Sequence, residues 1–151
     1  MRVRPLELSD WSEWRRMRLA LWPDEASAGS DAEMRALHAQ TDARVFVALR
    51  LDGSLCGFAE AGTRRYAEGC DTSPVGYIEG WYVDPDVRRQ GYGRALLEAA
   101  EAWARSIGYT EMGSDALLDN TVSHRAHERS GYEEVVRLVT FRKSLTIRPA
   151  P

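Results

Sequence analysis

The sequence predicts a single domain of the α/β class, in which a central mixed β-sheet is flanked by about four helices. Over residues 93–107, apolar side chains recur at three- and four-residue steps, and Gly108 follows where a helix-ending glycine is common. The apolar segments 75–83 and 109–115 flank this helix, and an intervening helix makes such strands parallel. Asp52-Gly53 separates two other apolar segments and is typical of an antiparallel hairpin. The sheet is therefore predicted to be mixed.

The other elements of the first half follow from helix caps, prolines and glycines. Asp10, with Glu13 three residues later, predicts the start of a first helix, and Pro23 ends it. Pro23–Gly29 is predicted to be a polar loop, and Ser30 predicts a second short helix that reaches about Thr41. The remaining predicted segments before residue 75 are the strands Arg2–Leu6, Val45–Leu51 and Leu55–Arg64, and the long connection Arg65–Pro74.

The last third of the chain predicts a helix followed by further strands. Asn120–Ser130 has a helical pattern, and Gly131 stands at the expected left-handed position. Glu133–Ser144 predicts one or two last strands. Since no linker or repeat interrupts the chain, we expect one domain over residues 1–145 and a flexible tail over residues 146–151.

Composition narrows the class of protein. The chain has 151 residues, with 44% hydrophobic and 28% charged residues and a net charge of −3, which argues against nucleic acid as the main partner. No apolar run approaches the ~20 residues that span a bilayer, and the N-terminus does not resemble a signal peptide. We therefore expect a cytoplasmic protein without a membrane partner. Cys56 and Cys70 have no metal-ligand spacing and are predicted to be free thiols.

The turn before the third long helix is suited to a phosphate group. It reads Arg88-x-x-Gly91-x-Gly93, and Arg89 and Arg94 add two more guanidinium groups. The first N–H groups of a helix lack internal partners and carry partial positive charge, and glycines let a ligand approach the backbone. An ordinary turn on a basic surface would show the same residue types.

The spacing of the glycines and Arg88 distinguishes a phosphate-binding turn from an ordinary turn on a basic surface. It matches neither the nucleotide P-loop nor a dinucleotide turn. It resembles the acyl-CoA pyrophosphate loop of the GNAT superfamily of N-acyltransferases, whose signature is Arg/Gln-x-x-Gly-x-Gly/Ala between a strand and a helix, and the order of predicted elements is similar over nearly the whole chain. The resemblance implies a GNAT fold in which the two parallel strands splay apart around the pantetheine arm. It also implies acetyl-CoA as the acetyl donor, with no metal. The expected cofactor-binding residues are Trp81, Tyr82, Val83, Arg88, Arg89, Gln90, Gly91, Tyr92, Gly93, Arg94, Asn120 and His127.

Segments outside the turn resemble one group of GNAT enzymes, the aminoglycoside 6′-N-acetyltransferases. The most specific are Gly69–Pro74 and Ile78-Glu79-Gly80, and Trp22-Pro23, Ser114-Asp115, Asn120-Thr121 and Arg142-Lys143 also match. The resemblance implies direct attack of a 6′-amine on the thioester in a ternary complex, and a homodimer. Two alternatives remain open: acetylation of a polyamine or a protein N-terminus, and a non-catalytic acyl-CoA-binding module.

Two carboxylates are candidates for the proton transfer that such a reaction needs. An alkylammonium has no lone pair, so a base must take its proton before it attacks. Glu79 interrupts an apolar central strand and is the first choice, although a strand carboxylate that faces water would look alike. Asp115 ends the neighbouring parallel strand and is the second candidate; the alternative is that it caps the following turn.

Other residues complete the predicted site. Trp22, Tyr66 and Asp71 are expected to line the substrate pocket together with the two carboxylates, although the aromatic rings could also serve packing alone. Many GNAT enzymes place a tyrosine four residues before the glycine that ends the last helix, as an acid for the leaving thiolate. In this chain that position is His127, so the chain departs from the pattern. His127 is therefore a candidate acid or cofactor ligand.

Overall fold

The computed structural model describes residues 1–25, 27–147 and 149–151, and contains one five-stranded sheet with the strand order β1-β2-β3-β4-β5. The first four strands pair antiparallel, and β4 pairs parallel with β5, so the predicted mixed sheet is confirmed. The strands are β1 (Arg2–Pro5), β2 (Arg44–Leu49), β3 (Leu55–Arg64), β4 (Val75–Val83) and β5 (Met112–Ser114), and the helices are α1 (Trp11–Leu21), α2 (Asp31–Ala39), α3 (Tyr92–Ser106) and α4 (Thr121–Arg129).

One helix packs on one face of the sheet, and two helices pack on the other. On one face α3 buries Leu96, Ala100 and Trp103 against β2, β3 and β4. On the other face α1 and α2 bury Trp14 and Met34 against β2 and β3. None of the helices in the described part of the chain is long and apolar enough to cross a membrane.

One extra residue in β4 changes its pairing with both neighbours. Glu60 lies opposite Gly80 and Ala61 lies opposite Ile78, so Glu79 has no partner residue and forms a β-bulge. The parallel pairing with β5 ends at Ile78 and Ser114, directly before the bulge. From Gly80 onward β4 is therefore paired with β3 alone, and its other edge is open. This opening is the splayed end that the resemblance implied.

One detail differs from the sequence prediction in the N-terminal half. Asp10 is not the side-chain cap of α1; its buried carboxylate accepts bonds from Arg4 and from the backbone of Glu7. These bonds hold the pKa of Asp10 below its ordinary value, with the Arg4 contact as the main cause. The helix ends at Leu21, before Pro23, as predicted. Ala26 of the predicted polar loop lies outside the described residues.

The C-terminal strands are not formed. The prediction of one or two strands over Glu133–Ser144 is wrong for this chain alone, because the segment pairs with no strand within the described residues. A strand needs an edge to bond with, and sequence pattern does not supply one. The predicted strand 109–115 is also shorter, reduced to Met112–Ser114. Arg148 of the predicted tail lies outside the described residues.

A buried carboxylate anchors the end of β4. Asp84 is 6% exposed and accepts bonds from Arg16 of α1, at 3.0 and 3.1 Å, and from Arg50, at 3.1 Å. Burial by itself would raise the pKa of Asp84, but the bonds from the two arginines outweigh burial and lower it. Asp84 therefore ties the first helix and the β2–β3 turn to the start of the arginine- and glycine-containing turn.

Replacing this carboxylate should destabilise the fold in a pH-dependent way. Asp84→Asn leaves two arginines without their shared anion, and we expect a loss of about 2 kcal/mol in the free energy of unfolding at pH 7. Because the pKa of Asp84 is lowered by folding, its contribution is present above the ordinary value of about 4 and is lost as the pH falls through the lowered value. Urea unfolding at pH 7 and at pH 3 measures both effects.

Asp86 provides the matched control, since its exposed carboxylate bonds to the same Arg50. Asp86→Asn should cost less than about 0.5 kcal/mol, as is usual for an exposed ion pair. Equal losses in the two variants, or a loss in Asp84→Asn that does not diminish at low pH, would show that Asp84 is not the anchor.

Candidate active site between β4 and β5

The predicted phosphate-binding turn has the geometry of an anion site. Arg89 and Gly91 adopt left-handed conformations, with φ of 62° and 93°. Gly91 directly precedes the helix α3. Within the described residues, the backbone N–H groups of residues 89–94 donate to no protein acceptor. Because these groups lie at the positive end of a fifteen-residue helix, they can bind a pyrophosphate without displacing any internal bond.

The side chains around the turn differ in what they can offer to a ligand. Arg88 donates to the carbonyl oxygen of Val83 at 2.9 Å, and Arg94 pairs with Glu98 on the exposed surface of α3. The ring of Tyr92 is buried in the core below α3, so only its backbone N–H can contact a cofactor. Gly93 lies under the indole of Trp81, whose Nε1 donates to the Gly93 carbonyl oxygen at 3.1 Å.

His127 bridges the gap between the separated ends of β4 and β5. Its ring is edge-on to Trp81 of β4, with the centroids 5.1 Å apart, and its Nε2 lies 2.8 Å from the hydroxyl of Ser114 in β5. Nδ1 lies 2.8 Å from the carbonyl oxygen of Ser123, which can only accept, so Nδ1 carries a proton. In the neutral ring, Nε2 therefore accepts from Ser114.

Asn120 has a structural contact of its own. Its side-chain oxygen accepts from the backbone N–H of Ser123 at 3.1 Å and thus caps α4, the helix that carries His127. The contact of Asn120 with the pantetheine arm stays a prediction.

Glu79 lies in the bulge with its side chain over Gly62, on the α1 side of the sheet. The Cγ of Glu79 is 3.7 Å from the position that a Cβ at Gly62 would occupy. Its carboxylate forms a two-pronged ion pair with Arg64, with Nε to Oε1 at 2.8 Å and Nη2 to Oε2 at 2.7 Å. The Glu79 side chain remains 37% exposed. Glu79 is therefore accessible to solvent, and its carboxylate is already paired with the guanidinium of Arg64.

Asp115 lies on the same side of the sheet as Glu79. Its Oδ2 accepts from the hydroxyl of Tyr77 at 2.7 Å, and the guanidinium of Arg64 stacks over the Tyr77 ring at 3.5 Å from the centroid. The pKa of Tyr77 is raised, by burial first and then by the bond to the Asp115 carboxylate. Tyr77 and Arg64 thus connect the two predicted carboxylates into one cluster, which we call the Arg64 cluster: Arg64, Tyr77, Glu79 and Asp115.

The predicted wall residues come from two segments of the chain, the end of α1 and the β3–β4 connection. Trp22 lies directly over Gly80, where an added Cβ would come within 2.6 Å of the ring. Tyr66 and Asp71 lie on the exposed connection between β3 and β4; Tyr66 donates to Glu68, and the backbone N–H of Asp71 donates to Glu111. Within the described residues, neither forms a hydrogen bond or ion pair with Glu79 or Asp115. Ala67 brings this connection against Gly113 of β5.

Sequence reasoning missed three residues that organise the site: Arg64, Tyr77 and Ser114 as bonding partners. An arginine at the end of a strand and a tyrosine within one carry no motif, because their partners are distant in sequence. The structure buries Glu60 against Trp14 and Arg18, where burial raises its pKa. Glu60 is therefore part of the core.

The site offers a donor side and an acceptor side. The donor side has free N–H groups, arginines and the open edge of β4, which fit a phosphorylated thioester such as acetyl-CoA. The acceptor side has two carboxylates and an aromatic ring, which fit a cation. No group of three or more histidine, cysteine or acidic side chains among the described residues could hold a metal ion. The two cysteines are free thiols, as predicted.

Residues 11–132 match the acetyltransferase (GNAT) family model. An aminoglycoside N(6′)-acetyltransferase type 1 of Klebsiella aerogenes is 44% identical over 146 residues, which covers 95% of this chain and 96% of that protein. The enzyme of the same description from Stenotrophomonas maltophilia is 40% identical over 144 residues, with 95% and 93% covered.

Solved structures agree over the same length. The apo aminoglycoside 6′-N-acetyltransferase AAC(6′)-IG of Acinetobacter haemolyticus has a TM-score of 0.89 at 36% identity, covering 97% of this chain and 100% of that one. AAC(6′)-Iy in complex with the bisubstrate analogue CoA-S-monomethyl-acetylneamine has a TM-score of 0.89 at 33% identity, with 95% and 97% covered.

The bond between Tyr77 and Asp115 can be tested by tyrosine titration. Because the carboxylate contributes to the raised pKa of Tyr77, Asp115→Asn should lower that pKa and let one additional tyrosine ionise at lower pH. The 295-nm absorbance of tyrosinate, recorded below the pH of alkaline unfolding, measures this change. Tyr77→Phe in the same background identifies the residue, since the additional ionisation should disappear. An unchanged titration in Asp115→Asn would contradict the bond.

Proposed function

The chain belongs to the acetyltransferase (GNAT) family, and we propose that it transfers the acetyl group of acetyl-CoA to the 6′-amine of aminoglycosides. The observation that supports the proposal is that Glu79 and Asp115 follow the point where the pairing of β4 with β5 ends, in a fold whose helix α3 begins with backbone N–H groups that donate to no protein acceptor in the described residues. The relatives with this named activity span nearly the whole chain. Since such enzymes act on antibiotics, resistance is the expected consequence.

The donor would lie along the open edge of β4. The N–H groups of residues 89–94 and the side chains of Arg88, Arg89 and Arg94 would hold its pyrophosphate, and a backbone N–H within residues 81–83 would polarise the thioester carbonyl. Other predicted contacts are Gln90, Tyr82 and Asn120. These residues fit acetyl-CoA because the positive turn can bind its pyrophosphate, and the unpaired edge of β4 can bond to its long pantetheine arm.

The acceptor's ammonium would approach from the α1 side of the sheet. Glu79 or Asp115 takes its proton, directly or through a water, and the neutral amine attacks the carbonyl carbon. The nitrogen–carbon bond forms, the carbon–sulfur bond breaks, and the thiolate takes a proton. His127 could return that proton only when its ring is protonated, because the neutral ring accepts at Nε2 from Ser114. A weak acid suffices, since a thiolate leaves readily.

Turnover of defined amines tests this proposal. CoA release should occur with kanamycin or tobramycin, and much less with spermidine or a peptide, because several ammonium groups match the separated carboxylates. Glu79→Gln should lower kcat by roughly 10²-fold or more if Glu79 is the base. Asp115→Asn provides the parallel measurement for the second carboxylate. Strong turnover of spermidine and none of the aminoglycosides would reject the proposed substrate.

An aminoglycoside with a hydroxyl in place of the 6′-amine is the matched substrate control, and it should bind without acetylation. Labelled acetyl-CoA alone should leave the protein unlabelled, because transfer is direct. Formation of an acetyl-enzyme would contradict the ternary-complex mechanism.

We also propose that the protein is a homodimer and that its C-terminal segment, residues 133–147, contacts the second copy. The segment begins near the site, where Val135 lies against Gly69 of the β3–β4 connection. Beyond Val135 its large apolar side chains are exposed, among them Val139, Phe141, Leu145 and Ile147 at 74% to 94%. Such a row of apolar groups is unfavourable in water, and the outer edge of β5 is unpaired in the described residues.

Light scattering after gel filtration tests the dimer. The wild-type protein should have twice the mass of one chain, and Phe141→Glu combined with Leu145→Glu should shift it towards the monomer. Leu51, which is 96% exposed in the β2–β3 turn, gives the control, since Leu51→Glu should leave the mass unchanged. A monomeric wild-type protein, or a double variant that stays dimeric, would contradict the proposed interface.

A further inference from the structure

We propose that Arg64 is a tethered cation that occupies the acceptor-ammonium position beside Glu79 and over the Tyr77 ring, and that a substrate ammonium must displace it to reach these two groups. The inference rests on the proposed function and adds a residue to it. Arg64 is the last residue of β3 and precedes the long β3–β4 connection. Because its backbone belongs to the sheet, its guanidinium stays near the acceptor site even when the ion pair opens.

The groups that surround the guanidinium are those expected to recognise an alkylammonium. Both oxygens of Glu79 accept from Arg64, at 2.8 and 2.7 Å. The aromatic face of Tyr77 lies 3.5 Å from the guanidinium carbon, and Tyr77 in turn holds Asp115. A carboxylate, an aromatic face and a second negative charge nearby form a complete cation site. Arg64 and a substrate cation therefore compete for the same partners.

The pair is placed so that it can open. The side chains of Arg64 and Glu79 are 41% and 37% exposed, and an ion pair so accessible to water contributes little net stability. The ion pair of Arg18 and Glu60 differs from it, since both of these side chains are nearly inaccessible to water. The Arg64–Glu79 pair at the acceptor site is therefore exposed and easily broken. The Arg18–Glu60 pair is buried, although Glu60 lies opposite Gly80, the residue after Glu79.

The consequence is a link between substrate arrival and the availability of the base. While Arg64 is bound, each oxygen of Glu79 accepts a bond from the guanidinium and the guanidinium covers the face of Tyr77, so a substrate ammonium cannot take that position. When a polycation with several ammonium groups binds, one of them takes the place of the guanidinium, and Glu79 then faces the reacting nitrogen. Arg64 is therefore a positioning residue that acts through Glu79.

Steady-state kinetics of the full chain with acetyl-CoA and kanamycin test the inference. Arg64→Gln removes the competitor, and we expect the KM for kanamycin to fall about three- to fivefold, as for loss of an exposed ion pair. The KM for acetyl-CoA should stay constant, and kcat should change less than the KM for kanamycin. Arg64→Lys, which keeps the charge without the two-pronged bond, should fall between the wild type and Arg64→Gln.

Arg65 provides the matched control, because Arg65→Gln makes the same change of charge at the next position. Its side chain forms no ion pair among the described residues. Arg65→Gln should leave all three kinetic constants unchanged. An equal fall in the KM for kanamycin in both variants would assign the effect to general charge and overturn the inference. A rise in that KM, or no change, in Arg64→Gln would overturn it as well.

An NMR measurement reports displacement without turnover. The Nε–Hε signal of Arg64, assigned by its loss in Arg64→Gln, should change its chemical shift after addition of CoA and kanamycin, towards the shift that it has in Glu79→Gln, where the ion pair is absent. A shift that stays at the paired value with both ligands bound would contradict displacement. If the wild type acetylates kanamycin but Arg64→Gln is unaltered, only the role of Arg64 fails; if the wild type acetylates no aminoglycoside, the proposed function fails with it.

Discussion

The site depends on one extra residue in the central strand. Because side chains alternate along a strand, inserting Glu79 opposite no partner bends β4 at the point where its pairing with β5 ends. The same residue therefore opens the edge along which a thioester can lie and places a carboxylate beside the opening. Gly62 and Gly80 leave room for this arrangement, since Glu79 lies over the first and Trp22 over the second.

Opposite charges are divided between the two sides of the opening. The start of α3 presents a positive end with arginines and free N–H groups, whereas the α1 side presents Glu79 and Asp115. Other carboxylates have structural roles: Glu60 pairs with Arg18 in the core, and Asp84 holds Arg16 and Arg50 at the end of β4. The modest net charge of −3 conceals this division. An anionic donor and a cationic acceptor would thus each meet protein groups of opposite charge.

The features that sequence reasoning predicted are those encoded by neighbouring residues. The turn from Arg88 to Arg94 depends on glycines at local positions, and the structure has the left-handed conformation at Gly91 that this pattern requires. Glu79 was detectable because a carboxylate breaks an apolar run. The partners Arg64 for Glu79 and Tyr77 for Asp115 were not detectable, because fifteen and thirty-eight residues separate the pairs and neither partner belongs to a motif.

The sequence by itself determined the fold class, the order of elements through α4, the turn predicted to bind an anion and the two carboxylates predicted for the acceptor side. Only the tertiary structure decided that β4 contains a bulge, that Arg64 and Tyr77 join those carboxylates, and that Glu60 belongs to the core. It also decided that residues 133–144 form no strand in the single chain. The physical reason is common to all of these: local pattern sets backbone preference, whereas pairing and burial depend on which distant groups the fold brings into contact.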